Sequence, residues 1–305
     1  MRETIATIGE GLYELGLDDR GGDLREGFGG DAANSAVMAA MMGARTQFVG
    51  RIGDDSVGRR LHAFWKLRGV GTTYVTFDSS RATGIYVNRR GDDGHHRFDY
   101  HRTGSAGSSL NEADVERVAL DDVAYVHFTG VGIAVSPTSA HACSVLVKRA
   151  RGTGARISFA LNVRPGLAPS LTVLREAAAV ADVVFASVED AALVYGNVEA
   201  AVASLSPTVQ ELVITDGSHG ATLYTQSGTV HHSPPTVDVV DAAGAGDALA
   251  GAYLAARVRG ESEEAALLEG VVAGALSCRS FGCAASYPSR ADVQAGCATT
   301  GGKTR

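Results

Sequence analysis

The stretch DAAGAGDALAGAYLAARV, residues 241–258, sets one carboxylate, Asp247, behind a run of alanine and glycine. The alanine-rich run after it reads as a buried helix. Asp247 then falls in the first turn of that helix. Standing alone, such an aspartate would be a simple N-terminal carboxylate favoured by the helix dipole. The residues Gly244, Ala245 and Gly246 change that reading. Their small side chains leave the backbone N–H groups at the helix start open to an anion, and a phosphoryl group is the natural guest. An anion cradle beside a carboxylate suits phosphoryl transfer to an alcohol. The carboxylate accepts the hydroxyl proton while the amides neutralise the phosphoryl oxygens.

Two other phosphate patterns fail. GGKT at 301–304 has Cys297 where the first Walker glycine belongs, and no chain remains for the helix that must follow. Gly244-Ala245-Gly246 does not open a dinucleotide fingerprint, because Leu249 stands at the third glycine and no first strand precedes it.

A second stretch, HHRFDYHR at 95–102, alternates like a strand. Phe98, Tyr100 and Arg102 then share one side, and Arg97, Asp99 and His101 the other. An aromatic–arginine face suits a carboxylate, which guanidinium pairs bidentately. Arg164, in LNVRPGL, lies just past a strand end, where ligands gather in open parallel sheets. The histidines at 95, 96, 101, 231 and 232 lack partners at metal-ligand spacing and read as exposed.

The elements that must position these groups follow from periodicity. Residues 3–8 read as a strand, 29–44 as a glycine turn and buried helix ending at Gly43, 46–50 as a strand, and 56–68 as a helix with Trp65 in or near the core. Strands are expected at 123–128, 155–160, 182–185 and 210–215, a hairpin near 221–233, and helices near 244–259 and 262–280. This alternation predicts an α/β fold with a central, mostly parallel sheet flanked by helices. Residues 72–104 differ: short alternating runs separated by SSRA and GDDG predict a small antiparallel lid. The expected division is a core of 1–10, 32–71 and 105–295, a β lid of 11–31 and 72–104, and a loose tail of 296–305.

Composition bounds the rest. The chain has 305 residues, 45% hydrophobic and 20% charged, enough for a large core. A net charge of -7 argues against nucleic acid as a partner. The polar N-terminus and the lack of a long apolar run argue against a signal peptide or membrane span, so a cytoplasmic protein is expected. Cys143, Cys278, Cys283 and Cys297 read as reduced, inert thiols. The lysines are Lys66, Lys148 and Lys303 only, which leaves few candidates for lysine chemistry.

DAAGAGDALAGAYLA resembles the C-terminal signature of the ribokinase, or PfkB-type, carbohydrate kinases. GFGGDAANSAVMAAMMGARTQFVGRIGDDSVGRRL at 27–61 resembles the other signature. The resemblance covers nearly the whole chain and implies a ribokinase-like fold and an ATP- and Mg²⁺-dependent kinase acting on a primary hydroxyl. By it Asp247 would be the base, Gly244, Ala245 and Gly246 the anion hole, and Gly29, Gly30, Asp31 and Asn34 the sugar site. ITDGSHGATLY at 214–224 resembles the nucleotide segment through Thr215, Gly217 and Gly220, and FGCAASYP, with Gly282, the stretch near the adenine. Asn162 and Ser187 fall among the nucleotide positions. Asp190 falls at the magnesium-associated position of an N-x-x-E element, which here reads Ser187-x-x-Asp190. GEGLYELG, TGIYV, Tyr100-x-Arg102 and LNVRPGL resemble the 2-keto-3-deoxygluconate kinases of the family, in which Tyr86, Tyr100 and Arg102 would hold the keto acid and Arg164 the phosphate or substrate. Ala160 departs from the family, which usually has aspartate there. A neutral ketose, ribose or nucleoside kinase is the alternative, and a binding protein without catalysis the third. Pairing of copies through the lid edge is expected from the family.

Overall fold

The computed structural model describes residues 2–18, 24–90, 96–167 and 169–300. Apolar, β-branched runs such as TIATI, VAYVHFT and ELVIT are among its strands. In chain order these are β1 (Thr4–Ile8), β2 (Leu12–Asp18), β3 (Arg25–Gly29), β4 (Arg45–Gly53), β5 (Gly71–Asp78), β6 (Ile85–Arg90), β7 (His96–His101), β8 (Val123–Thr129), β9 (Arg156–Ala160), β10 (Val183–Ser187), β11 (Glu211–Thr215), β12 (Ala221–Thr225) and β13 (Gly228–His232). Nine of them make one sheet in the order β13-β12-β11-β10-β9-β8-β1-β4-β5. From β11 to β5 every pairing is parallel, and the β12–β13 hairpin closes one edge antiparallel. β1, near the middle, is buried along its whole length, as a strand covered on both faces must be.

Alternation sends Ile5 to one core and Ala6 and Ile8 to the other. The first core holds helices Asp31–Met41, Ser56–Leu67, Ala245–Val258 and Glu263–Ser277, with Trp65 and Tyr253 among its largest wholly buried side chains. Each such side chain contributes about 1.5–3 kcal/mol. The second core lies beneath helices Pro137–Thr153, Leu171–Ala179, Val188–Tyr195 and Val198–Leu205. Helices Asp31–Met41 and Ala245–Val258 cross closely because Gly251 has no side chain. A Cβ there would lie 2.4 Å from the Ser35 carbonyl oxygen. That approach brings the two N-termini together.

The second sheet has the order β3-β2-β6-β7. It is mixed, since β2 runs parallel to β6 while the other two pairs are antiparallel. This corrects the expectation of an antiparallel lid. A further correction concerns TTYVTFD. It forms β5 and belongs to the large sheet, paired parallel to β4 with Val49 opposite Tyr74. It is the edge strand of that sheet, where Val75 is buried and Phe77, two residues on along the same face, is exposed. The tail expectation also needs revision. Residues Arg290–Thr300 form a helix that buries Val293 completely. The GDDG turn, His95 and the whole of GGKT lie outside the described residues. Among the described residues no helix is long and apolar enough to cross a membrane.

Candidate active site

Helix Ala245–Val258 begins at Gly244, whose φ of 78° is left-handed and which supplies no side-chain cap. The turn is held from outside the helix instead. Tyr287 Oη donates to the Gly244 carbonyl at 2.9 Å. Asp241 accepts from Ala243 N at 2.9 Å and from Gly282 N at 3.0 Å. The first N–H groups of any helix lack intrahelical acceptors. Of these, Ala245 N turns to the Ala242 carbonyl at 3.3 Å, so its amide does not join the expected anion hole, while the space beside Gly246 is open, since a Cβ there would meet nothing within 4 Å. The small residues at 244–246 thus leave an unobstructed positive helix terminus.

Asp247 is almost wholly buried in the first turn of that helix. Asn34 Nδ2 donates to its Oδ2 at 2.9 Å. Asn162 Nδ2 reaches both Asp247 Oδ1 and Asp31 Oδ2, at 3.2 Å each. To do so Asn162 adopts φ 38°, the left-handed region that asparagine tolerates better than most residues. Asp31 Oδ1 accepts from Ala32 N at 2.8 Å at the start of its own helix. Burial, and then the Asp31 charge, raise the Asp247 carboxyl to about 7. A base poised there changes protonation state near neutral pH.

These groups open on one cavity of about 990 Å³, at the C-terminal side of the central strands. Its wall includes Gly30, Asp31, Asn34, Asn162, Arg164, Gly244, Ala245, Gly246 and Asp247. The small sheet closes it from the other side with Tyr86, Phe98, Tyr100 and Arg102, so the expected aromatic–arginine face does look inward. Tyr86 is buried, with its hydroxyl 3.4 Å from Cys283 Sγ. Burial keeps that phenol protonated well above neutral pH. The Arg102 guanidinium lies 4.5 Å from the centre of the Tyr100 ring.

Two lining residues were not legible as site residues. Glu10, just past β1, accepts from Arg102 Nη1 at 2.9 Å and is 2% exposed. It lies in the GEGLYELG stretch noted above, but its side chain was not singled out there. Cys283 also lines the cavity, although the cysteines read as inert. Burial pushes its thiol well above the usual range, so it is a wall and not a nucleophile.

The remaining expected residues lie outside the cavity wall. Gly29 makes room for Tyr86, since a Cβ there would lie 2.4 Å from the phenolic oxygen. Thr215 and Ser187 sit side by side at the ends of β11 and β10, with Gly217 and Gly220 on the following turn. Gly282 donates to Asp241 at the junction of the sheets. Asp190, expected as a metal ligand, is engaged otherwise. It forms a capping box with Ser187, and its Oδ1 accepts from Val163 N at 3.0 Å. Its carboxylate therefore fixes the Asn162–Arg164 loop. Among the described residues no three His, Cys, Asp or Glu side chains cluster as a metal site.

The model of the pfkB family carbohydrate kinases matches residues 3–290. The 2-dehydro-3-deoxygluconokinase of Thermoproteus tenax is 34% identical over 257 residues, covering 81% of this chain and 78% of the relative. A probable fructokinase-5 of Arabidopsis thaliana is 28% identical over 312 residues, covering 95% and 96%. The crystal structure of a fructokinase with bound ATP from Xylella fastidiosa superposes with a TM-score of 0.89 at 24% identity, covering 97% of this chain and 98% of that one. At that identity the likeness speaks for the fold.

Proposed function

The chain belongs to the pfkB family of carbohydrate kinases, and from that premise we propose that it phosphorylates the primary hydroxyl of a sugar acid at the expense of ATP. The substrate is 2-keto-3-deoxygluconate, and the products are 2-keto-3-deoxy-6-phosphogluconate and ADP. The observation that carries this reading is Arg102, beside Tyr100, opening on the same cavity as Asp247. A neutral sugar needs no such cation, whereas a substrate carboxylate does. The Thermoproteus relative, named for this activity, supports it.

Asp247 takes the proton of the attacking hydroxyl. Asn34 and Asn162 hold its two oxygens so that the remaining lone pairs face the cavity. The open N–H groups at Gly246 and Asp247 receive the transferring phosphoryl oxygens, and Arg164 adds a cation at the rim. The ledge formed by Ser187, Thr215, Gly217 and Gly220, at the ends of β10 and β11 and on the following turn, is the seat we assign to the nucleotide. Mg²⁺, when bound with the nucleotide, would neutralise phosphate charge. The small sheet excludes water, which suppresses ATP hydrolysis.

A neutral ketose is the second reading. It is favoured by the fructokinase-named relatives and by Glu10, which already offsets the charge of Arg102. ADP-release assays over sugar acids, ketoses and nucleosides separate the two. The sugar acid should exceed fructose in kcat/KM by at least about tenfold. A preference for fructose would overturn the sugar-acid reading.

A further inference from the structure

Arg102 is the last lid residue before a turn in which Ser105 N donates to the Arg102 carbonyl. A guanidinium there has five donors and several rotatable bonds. Aimed into the cavity, it needs something to hold it. Tyr100 supplies a ring face but no direction in that plane. Glu10 supplies the direction. Its Oε2 takes one Arg102 nitrogen, and the remaining fork is left for a ligand. Glu10 is itself fixed at both its backbone and its side chain. Its backbone carbonyl abuts Gly30, where a Cβ would approach it to 2.2 Å, and its side chain packs on Gly107. Its Oε1 faces that turn with no hydrogen-bond partner.

We propose that Glu10 is a positioning residue that sets the charge of the acid-binding end of the cavity: it holds Arg102 in place and, when ionised, weakens the attraction of Arg102 for a substrate carboxylate. The inference rests on the sugar-acid reading above. The charged groups that face Glu10 are Arg102, from the end of β7, and Asp31, from the start of its helix. The hydroxyl of Ser105 is the neutral neighbour. Burial raises the Glu10 carboxyl to about 7, with Arg102 opposing and Asp31 adding to the rise. Below that pH the glutamic acid is neutral and Arg102 presents its full charge. Above it the carboxylate offsets that charge. KM for a sugar acid should therefore rise with pH through about 7. The kcat limb set by Asp247 also rises with pH, because the base must be ionised.

The test is steady-state kinetics between about pH 6 and 8.5 on the wild type, Glu10→Gln, Glu10→Ala and Arg102→Ala, with 2-keto-3-deoxygluconate and fructose. Glu10→Gln keeps the shape and an acceptor for Arg102 but cannot ionise, so KM for the acid should lose its pH slope. Glu10→Ala releases Arg102, so at pH about 6, where the wild-type glutamic acid is neutral and only holds Arg102 in place, KM should rise about tenfold, with kcat changing less than KM. The isosteric glutamine variant keeps the test readable if the alanine variant does not fold. A pH slope retained in Glu10→Gln, or a wild-type KM in Glu10→Ala, overturns the inference. If Arg102→Ala raises KM while both Glu10 variants are silent, the inference fails and the sugar-acid reading stands. A wild type that turns over fructose but no sugar acid overturns both.

Discussion

Asp247 carries two demands that conflict. Catalysis needs an ionised carboxylate, whereas burial and the nearby Asp31 favour the neutral acid. Asp247→Asn keeps the size and removes the proton acceptor. Its kcat should fall about 10²–10⁴-fold while KM changes only a few-fold. Single-turnover and steady-state assays check this, and near-normal turnover would defeat the assignment. The wild-type kcat should climb with pH through about 7. Stability runs in the opposite direction, because the folded value lies above the unfolded value of about 3.9. The favourable contribution is complete below that unfolded value and is lost as pH rises through about 7. Asp247→Asn should therefore melt a few degrees higher than the wild type at pH about 8, with the gain vanishing near pH 4. At this scale the sequence identified the aspartate, the open glycine turn and the lid arginine from residue type and spacing. It did not disclose Glu10, because a lone glutamate after a strand looks like many solvated ones. Only its burial and its partner 92 positions away give it meaning.

The elements show where local pattern is sufficient and where it misleads. The Asp31 helix starts at Gly30 with φ 103°, a conformation that glycine adopts and other residues resist. Gly30→Ala adds backbone strain and drives a Cβ against the Glu10 carbonyl at 2.2 Å. The change should destabilise the fold by more than about 2 kcal/mol and lower kcat/KM as well, since Asp31 and Asn34 follow directly. Thermal melts and kinetics read both effects. The GG before DAAN was visible in the sequence. The partner that forbids a side chain there was not. TTYVTFD misled for a related reason. An edge strand of a buried sheet and a strand of an open lid both alternate polar and apolar residues, and only pairing with β4 separates them. The helix at Arg290–Thr300 has too weak an apolar face to stand out, and it owes its order to Val293 and the helix beneath it.

Across the whole molecule, buried charges set opposite limits on stability. Glu211 joins β11 to β9 through Arg156 at 2.8 Å, and to helix Ala245–Val258 through Arg257 at 3.0 Å and Tyr253 Oη at 2.6 Å. Burial alone would raise its carboxyl, but Arg156, the Tyr253 hydroxyl and Arg257 outweigh that and hold it low. Its stabilisation is present above an unfolded value of about 4.3 and is lost as pH falls through the folded one. Asp247 and Glu10, both raised to about 7, lose theirs as pH rises. The unliganded protein should accordingly be most stable between about pH 4 and 5 and lose stability from there to about 7, as a pH series of thermal midpoints would show. Glu211→Ala should cost about 3 kcal/mol, the low end for a broken buried pair because both arginines are partly exposed. By itself the sequence determined the fold class and the carbohydrate-kinase family, and it marked Asp247 as the proposed proton acceptor. Those follow from periodicity and from short contiguous motifs, which are local properties of the chain. The tertiary structure decided which strands share a sheet, that Asp190 caps a helix and fixes a loop, and that Arg102 enters the cavity already held by Glu10. Each of these depends on contacts between distant segments, and burial gives those contacts their energy.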